Sequence, residues 1–185
     1  MGRVSQAQAE ENRRRVVETA SRLFRERGTQ VSVADVMAAA GLTHGAFYKQ
    51  FASKEALVDE VTAYAFAELA RRHSAGLEPG DGRSAARQSL IDTYLSVEHR
   101  DDPADGCPVA ALATDIARDG GGDEARRVYA EGVAEFAGFL AGPEGDGIVR
   151  LCTLFGALVL SRATKGFPLS EEILATAHAA LTEAG

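Results

Sequence analysis

VADVMAAAGLTHGAFYKQF, residues 33–51, decides how the rest of the chain is read. Its apolar residues form two short helical patterns, 33–40 and 44–51, on either side of Gly41. Ser32 stands just before the first, where a hydroxyl can accept from the unpaired amides of an opening turn. Asp35, three residues on, puts an acid at the positive end of the helix dipole. Gly41 can enter the left-handed region without a Cβ penalty and end the helix, and Thr43 is placed to cap the next. Helices joined by so short a turn cross steeply. The pattern is a helix-turn-helix whose second helix is the DNA reader.

Phe47 and Phe51 are four apart and are expected to pack inward with Val36 and Leu42. Thr43, His44, Gly45, Tyr48 and Lys49 then share an outward face suited to close contact with a polar surface. ASKEAL, residues 52–57, follows directly. Ser53 can cap a third helix, and Lys54 falls in its first turn. A lysine there opposes the dipole at a cost of about a few tenths of a kcal/mol. An anion held by the lysine and the free amides would offset that cost.

This region resembles the TetR family of transcriptional regulators. The resemblance rests on Ala39, Ala40, Gly41 and Leu42, followed by FYKQFASKEAL at 47–57. It is close over the first third of the chain and elsewhere extends only to the helical layout. It implies that Tyr48 and Lys54 contact phosphates while Thr43, His44, Gly45 and Lys49 face the major groove. With Ser32 these make up the DNA-binding set. Gln50 departs from the family pattern, where histidine or tyrosine is usual.

Composition is consistent with a globular protein, with 185 residues and a hydrophobic fraction of 45%. No apolar run follows Arg3, so no signal peptide is expected. The longest apolar stretch, 148–160, contains Arg150 and falls short of the roughly 20 residues that span a bilayer. Cys107 and Cys152 have no metal-ligand spacing, and a reducing cytoplasm is the expected location. The net charge of −7 is unevenly spread. Residues 1–55 hold nine basic against six acidic side chains (+3), and residues 56–185 hold eleven against twenty-one (−10). The end with the helix-turn-helix is the basic one.

Residues 6–27 read as an amphipathic helix with Val16, Ala20, Leu23 and Phe24 on its apolar stripe. Arg13, Arg14 and Arg15 form a basic patch there, open to two readings: phosphate contact or a solvated face. A long helix is expected from 53 to 75, then a linker at 76–83, GLEPGDGR. Further helices are expected at 84–100, 108–118, 124–141, 148–165 and 170–184, with breaks at 101–106, 119–123, 142–147 and 166–168. No segment alternates with period two. The expectation is an all-α chain of about nine helices. A three-helix DNA-binding domain (1–52) is followed by a helical effector-binding and dimerisation domain (53–185).

The helix at 148–165 is apolar around nearly its whole girth and so needs cover on two sides. A partner subunit is one source of that cover, and the core of a monomer is the other. With the stripe of the last helix, the homodimer interface set is Leu151, Phe155, Leu158, Ile173, Ala177 and Leu181. Operator symmetry favours the dimer.

The four histidines lie on separate expected helices, and no catalytic or metal-binding constellation is visible. No enzyme activity and no cofactor are expected. The family keeps an effector cavity among its C-terminal helices. Its lining set here is Tyr64, Phe66, Tyr94, Cys107, Tyr129 and Phe136, with Phe139 among the same aromatics. The expected partners are double-stranded DNA with two-fold symmetry, a small-molecule effector and a second copy of the chain, with no membrane. The function read from these features is a homodimeric repressor released by a small molecule or electrophile. An activator of the same fold and a ligand-binding dimer without DNA binding are the alternatives.

Cys107, in DGCPV at 105–109, stands where Pro108 would open a helix. A thiol at that N-cap faces the positive dipole end and is expected to have a lowered pKa and some exposure. The glycine–cysteine helix start also resembles TetR-family regulators that sense electrophiles and oxidants. Asp101, Asp102 and Asp105 work against a low pKa, and an inert core cysteine is the other reading. Cys152, inside the apolar helix, is expected to be plain core.

Overall fold

The structure, a computed structural model, describes residues 6–74, 82–118 and 120–183. Among them every regular element is helical. Helix α1 (Gln6–Arg27) turns Val16, Val17, Ala20 and Phe24 inward as one stripe. Helix α2 (Val33–Ala39) starts at Ser32, whose hydroxyl accepts the Asp35 amide at 3.1 Å and donates to the Asp35 carboxylate at 2.6 Å. It ends in a Schellman turn. The Leu42 N–H donates to the Met37 carbonyl (2.8 Å) and the Gly41 N–H to that of Ala38 (3.0 Å). Gly41 sits at φ 70°, which a residue with a Cβ rarely adopts.

The expected reader helix is a 3-10 segment, His44–Lys49, rather than an α-helix. Its backbone bonds reach back three residues, Ala46 N–H to the Thr43 carbonyl and Gln50 N–H to that of Phe47. Thr43 takes the N-cap position but makes no side-chain cap bond. An uncapped start with Gly45 inside the first turn weakens the α form and leaves the tighter winding. Helix α3 (Lys54–Ser74) follows, with the Ser53 hydroxyl accepting the Ala56 amide at 3.0 Å.

Where one helix was expected over 84–100, there are two, α4 (Gly82–Tyr94) and α5 (Val97–Asp101). The backbone turns extended at Ser96, and its hydroxyl accepts the His99 amide, starting a new helix without a glycine or proline. Then come α6 (Pro108–Ala117), α7 (Asp123–Leu140), α8 (Gly147–Ala163) and α9 (Pro168–Glu183). The described residues thus hold ten helical segments, not nine. The expected linker at 76–83 lies outside the described residues except for Gly82 and Arg83, which already belong to α4. Asp119, in the expected break at 119–123, also lies outside them.

Two apolar clusters divide along α3. Its first half gives Leu57, Val58 and Val61 to a core with α1, α2, Phe47 and Phe51, which Leu112 and Ile116 of α6 join from below. Its second half gives Phe66 to a larger core with α4, α7, α8 and α9. Helix α7 lies so close to α3 that a Cβ on Gly132 would sit 2.0 Å from the Phe66 ring.

The apolar girth of α8 divides into two faces. Leu151, Leu154, Ala157 and Leu158 turn into the chain's own core, while Ile148, Val149, Cys152, Val159 and Leu160 stand exposed. The interface set is corrected accordingly. Leu151, Leu158 and Leu181 are buried within the monomer, and Phe155, Ile173 and Ala177 pack at the edge of that core. With nearly every position apolar, the period did not reveal which side faces in.

Candidate nucleic-acid interface and adjoining cavity

The reader segment is a polar face on an apolar base. Phe47 (0% exposed) and Phe51 stack on each other with ring centroids 5.3 Å apart, and Phe47 meets Tyr48 edge-on. Thr43, His44, Gly45, Tyr48 and Lys49 are all exposed, Tyr48 at 66%. A phenol so exposed on a rigid base is an unusual surface group, and its hydroxyl is open to a partner. Ser32 is exposed, its hydroxyl engaged as the α2 cap. Lys54 opens α3 half-exposed, and neither it nor Lys49 forms an ion pair among the described residues. Positive charge at a helix start, with no acid to neutralise it, is a site for an anion.

The arginine patch on α1 is not part of that face. Arg13 clamps the end of the reader: it donates to the Gln50 carbonyl, forms a two-point ion pair with Glu60, and lies 4.4 Å above the Phe51 ring. Arg14 pairs with Glu11 and Glu18, and Arg15 donates to Asn12. All three are committed within the chain.

A cavity of about 350 Å³ opens between α1, α3, α4, α7 and the turn before α6. Tyr94, Cys107 and Phe136 line it, together with Phe139. The other residues of the expected set lie elsewhere. Tyr64 packs with the N-terminal core, while Phe66 and Tyr129 meet edge to face within the larger one, the Tyr129 hydroxyl donating to the Val109 carbonyl at 2.8 Å.

Several lining residues were not anticipated. His73 lies between the rings of Phe136 and Phe139, at 4.7 and 4.6 Å, and burial with Arg72 nearby pushes its pKa down to about 4. His99 donates from Nδ1 to the Tyr94 carbonyl (2.7 Å) and accepts the Cys107 amide on Nε2 (3.3 Å), which fixes the neutral tautomer. Arg25 reaches in from α1, bonding the Gly106 carbonyl at 3.2 Å and facing Glu68 at 3.5 Å. The signal in sequence was slight: Glu68 and Arg72 are four apart on α3, and nothing local joins them to Arg25.

The two cysteines exchange their expected environments. Cys107 does occupy the N-cap with Pro108 behind it, but its side chain makes no cap bond and is buried. Burial pushes the thiol pKa up, not down. Cys152 is the exposed one. The cap position was read correctly, but what covers it, Tyr94 and α8, comes from distant sequence.

Cavity and reader are physically joined. Helix α6 begins at the cavity with Cys107 and Pro108 and ends on the α1–α2 turn, where the Asp115 carboxylate accepts the Thr29 amide at 2.6 Å. Asp105, just before α6, pairs with Arg22 of α1. The described residues contain no group of three or more His, Cys, Asp or Glu placed to hold a metal ion, and no helix long and apolar enough to cross a membrane.

Comparison with known proteins agrees with this layout. A sequence model of the family described as bacterial regulatory proteins, tetR family, matches residues 16–61, which run from α1 through the reader into α3. The HTH-type transcriptional regulator AcrR of Shigella flexneri is 34% identical over 100 residues, 52% of this chain and 46% of that protein. The match therefore spans less than half of the relative's length. Among solved structures, E. coli NemR in its reduced form aligns with a TM-score of 0.73 at 19% identity, covering 90% of this chain and 95% of that one. A TetR transcriptional regulator from Chloroflexus aurantiacus aligns at 0.71 and 22% identity, covering 95% and 94%. A TetR-family regulator from Agrobacterium tumefaciens aligns at 0.74 and 16%, covering 95% and 98%. These likenesses show a shared fold.

Proposed function

We propose that the chain is a regulator of the TetR family that binds two-fold symmetric DNA as a homodimer, represses transcription there, and lets go when a small molecule enters the cavity beside α1. The observation that carries this reading is the reader face. Five exposed residues, Thr43, His44, Gly45, Tyr48 and Lys49, are held on a stacked Phe47–Phe51 base, and among the described residues none of their side chains is tied up in an ion pair. Tyr48 and Lys54 hold phosphates and set the register, while Thr43, His44, Gly45 and Lys49 meet base edges. Residues 1–52 act as the DNA-binding unit and 53–185 as the effector-binding and dimerising one.

The exposed apolar face of α8, with the alanine-rich outer face of α9 beside it, supports a four-helix contact between two copies. Release follows from the shared lining. A ligand that displaces Arg25 or the Gly106–Cys107 turn shifts α1 and the foot of α6 together, because Arg22, Arg25 and Thr29 are all tied to that segment. Release is noncovalent, since a buried thiol with a raised pKa is a poor nucleophile.

Binding measured on a panel of DNA fragments separates the roles. Thr43→Ala or Lys49→Gln should change which sequence is preferred, whereas Lys54→Ala should weaken all sequences alike. If all three variants weakened every sequence equally, the segment would hold backbone only and read no bases.

A further inference from the structure

The groups lining the cavity specify the chemistry of what fills it. We infer that the site takes a small, uncharged, planar aromatic molecule of one or two rings bearing one hydrogen-bonding oxygen, a phenol or an aryl ketone, with Tyr94 as its polar anchor. The inference rests on the cavity being an effector site, as proposed above.

Size sets the first limit. At about 350 Å³ the cavity is at the small end of the range for ligand pockets, roughly 300–1,000 Å³. Charge sets the second. The ionisable lining side chains are Arg25, Arg72, Glu68 and Asp105, two of each sign, and they are already satisfied. Glu68 faces both arginines, at 3.5 and 2.7 Å, Arg72 and Arg25 donate to the carbonyls of Asp105 and Gly106, and Asp105 pairs with Arg22. Among the described residues, a carboxylate or an amine entering here would lose its water and have to break these pairs to gain a partner. The two histidines do not change this. His73 stays neutral between two phenyl rings, and both nitrogens of His99 are in use.

Shape and the polar handle complete the specification. The stacked Phe136, His73 and Phe139 rings, with Leu69 and Leu90 also in the lining, make a rigid aromatic and aliphatic surround, which favours an aromatic guest. Tyr94 is part of the lining, 5% exposed, its hydroxyl closed to solvent and, among the described residues, with no oxygen or nitrogen partner. The group beside it is the Cys107 thiol, also part of the lining and a weak partner at best. A buried hydroxyl with so weak a partner is costly, and a ligand oxygen that displaces the Cys107 thiol forms the stronger bond.

The test is calorimetric titration of the full chain with 2-naphthol, naphthalene, 2-naphthoate and the saturated decahydro-2-naphthol, with DNA affinity measured in parallel. The expected order puts 2-naphthol first, on the order of tenfold ahead of naphthalene for the added hydrogen bond. It should lead its saturated analogue by roughly three- to tenfold, and the naphthoate should not bind. Tyr94→Phe should erase the lead of naphthol over naphthalene while leaving naphthalene unchanged, which also shows that the variant is folded. Tighter binding of the naphthoate, or a naphthol lead that survives Tyr94→Phe, would overturn the inference. Naphthol binding in the expected order without any loss of DNA affinity would leave the ligand class standing and sink the release reading instead. DNA release by a charged compound with no naphthol binding would do the reverse.

Discussion

Arg13→Leu removes the clamp on the reader's C-terminal end, and its cost follows from three contacts. The two-point pair with Glu60 is partly exposed, the side chains retaining 42% and 35% of their accessible surface, so screening leaves about 0.5 kcal/mol. The hydrogen bond to the Gln50 carbonyl adds about 1 kcal/mol, and the guanidinium over Phe51 about 0.5–1. The total is about 2 kcal/mol, which lowers Tm by roughly 4–8 °C for a chain of this length. Because Gln50 directly follows Lys49, the loosened end should also weaken DNA binding by about three- to tenfold, with the slope of log affinity against log salt unchanged. Thermal unfolding and fluorescence anisotropy over a salt series measure both. If Tm moved by less than about 1 °C while the salt slope fell by about one unit, Arg13 would be a phosphate contact and the inward clamp would be wrong.

Lys54→Ala should leave Tm nearly unchanged and lower the salt slope by about one unit, as one lost phosphate contact requires; an unchanged slope would remove it from the interface. Gly132→Ala should cost about 1–3 kcal/mol because the new Cβ meets the Phe66 ring, while Gly138→Ala, with nothing within 4 Å, should gain about 0.5–1 kcal/mol by chemical denaturation. His73 is held near pKa 4 in the fold against 6.5 in the unfolded chain. Between those values the unfolded state binds more protons, so stability falls as pH drops from about 6.5 towards 4. Discounted for partial exposure, the loss is about 1–2 kcal/mol, and His73→Leu should flatten that part of the profile. Val149→Glu and Leu160→Glu should each give a folded monomer in sedimentation; dimers of undiminished strength would place the contact elsewhere.

The helix-turn-helix was legible because its determinants are local. Ser32, Gly41 and Ser53 each act within a few residues of themselves, and their hydrogen bonds form as the sequence suggests. Winding was harder to read. Nothing in 44–51 excludes an α-helix, and only the missing Thr43 cap bond with Gly45 behind it leaves the 3-10 form. The Ser96 break was missed because serine inside an apolar pattern is an ordinary helix residue until its hydroxyl captures an amide. Partners far apart in sequence were not legible at all. Arg25 meets Gly106 across 81 residues, Asp115 meets Thr29 across 86, and Cys107 is covered by side chains from other helices. The cavity is made of such contacts. Its aromatic residues could be named, but which three share one cavity, and that His73 stands among them, depends on how α3, α4 and α7 pack.

Selection of bound fragments from a random pool of duplex DNA, followed by sequencing, tests the reading of the helix-turn-helix most directly. The bound pool should converge on one two-fold symmetric motif with half-sites about one helical turn apart or slightly more, and Lys49→Gln should change the bases chosen within each half-site. A pool that stayed random, or converged on an asymmetric site unaffected by Lys49→Gln, would contradict it.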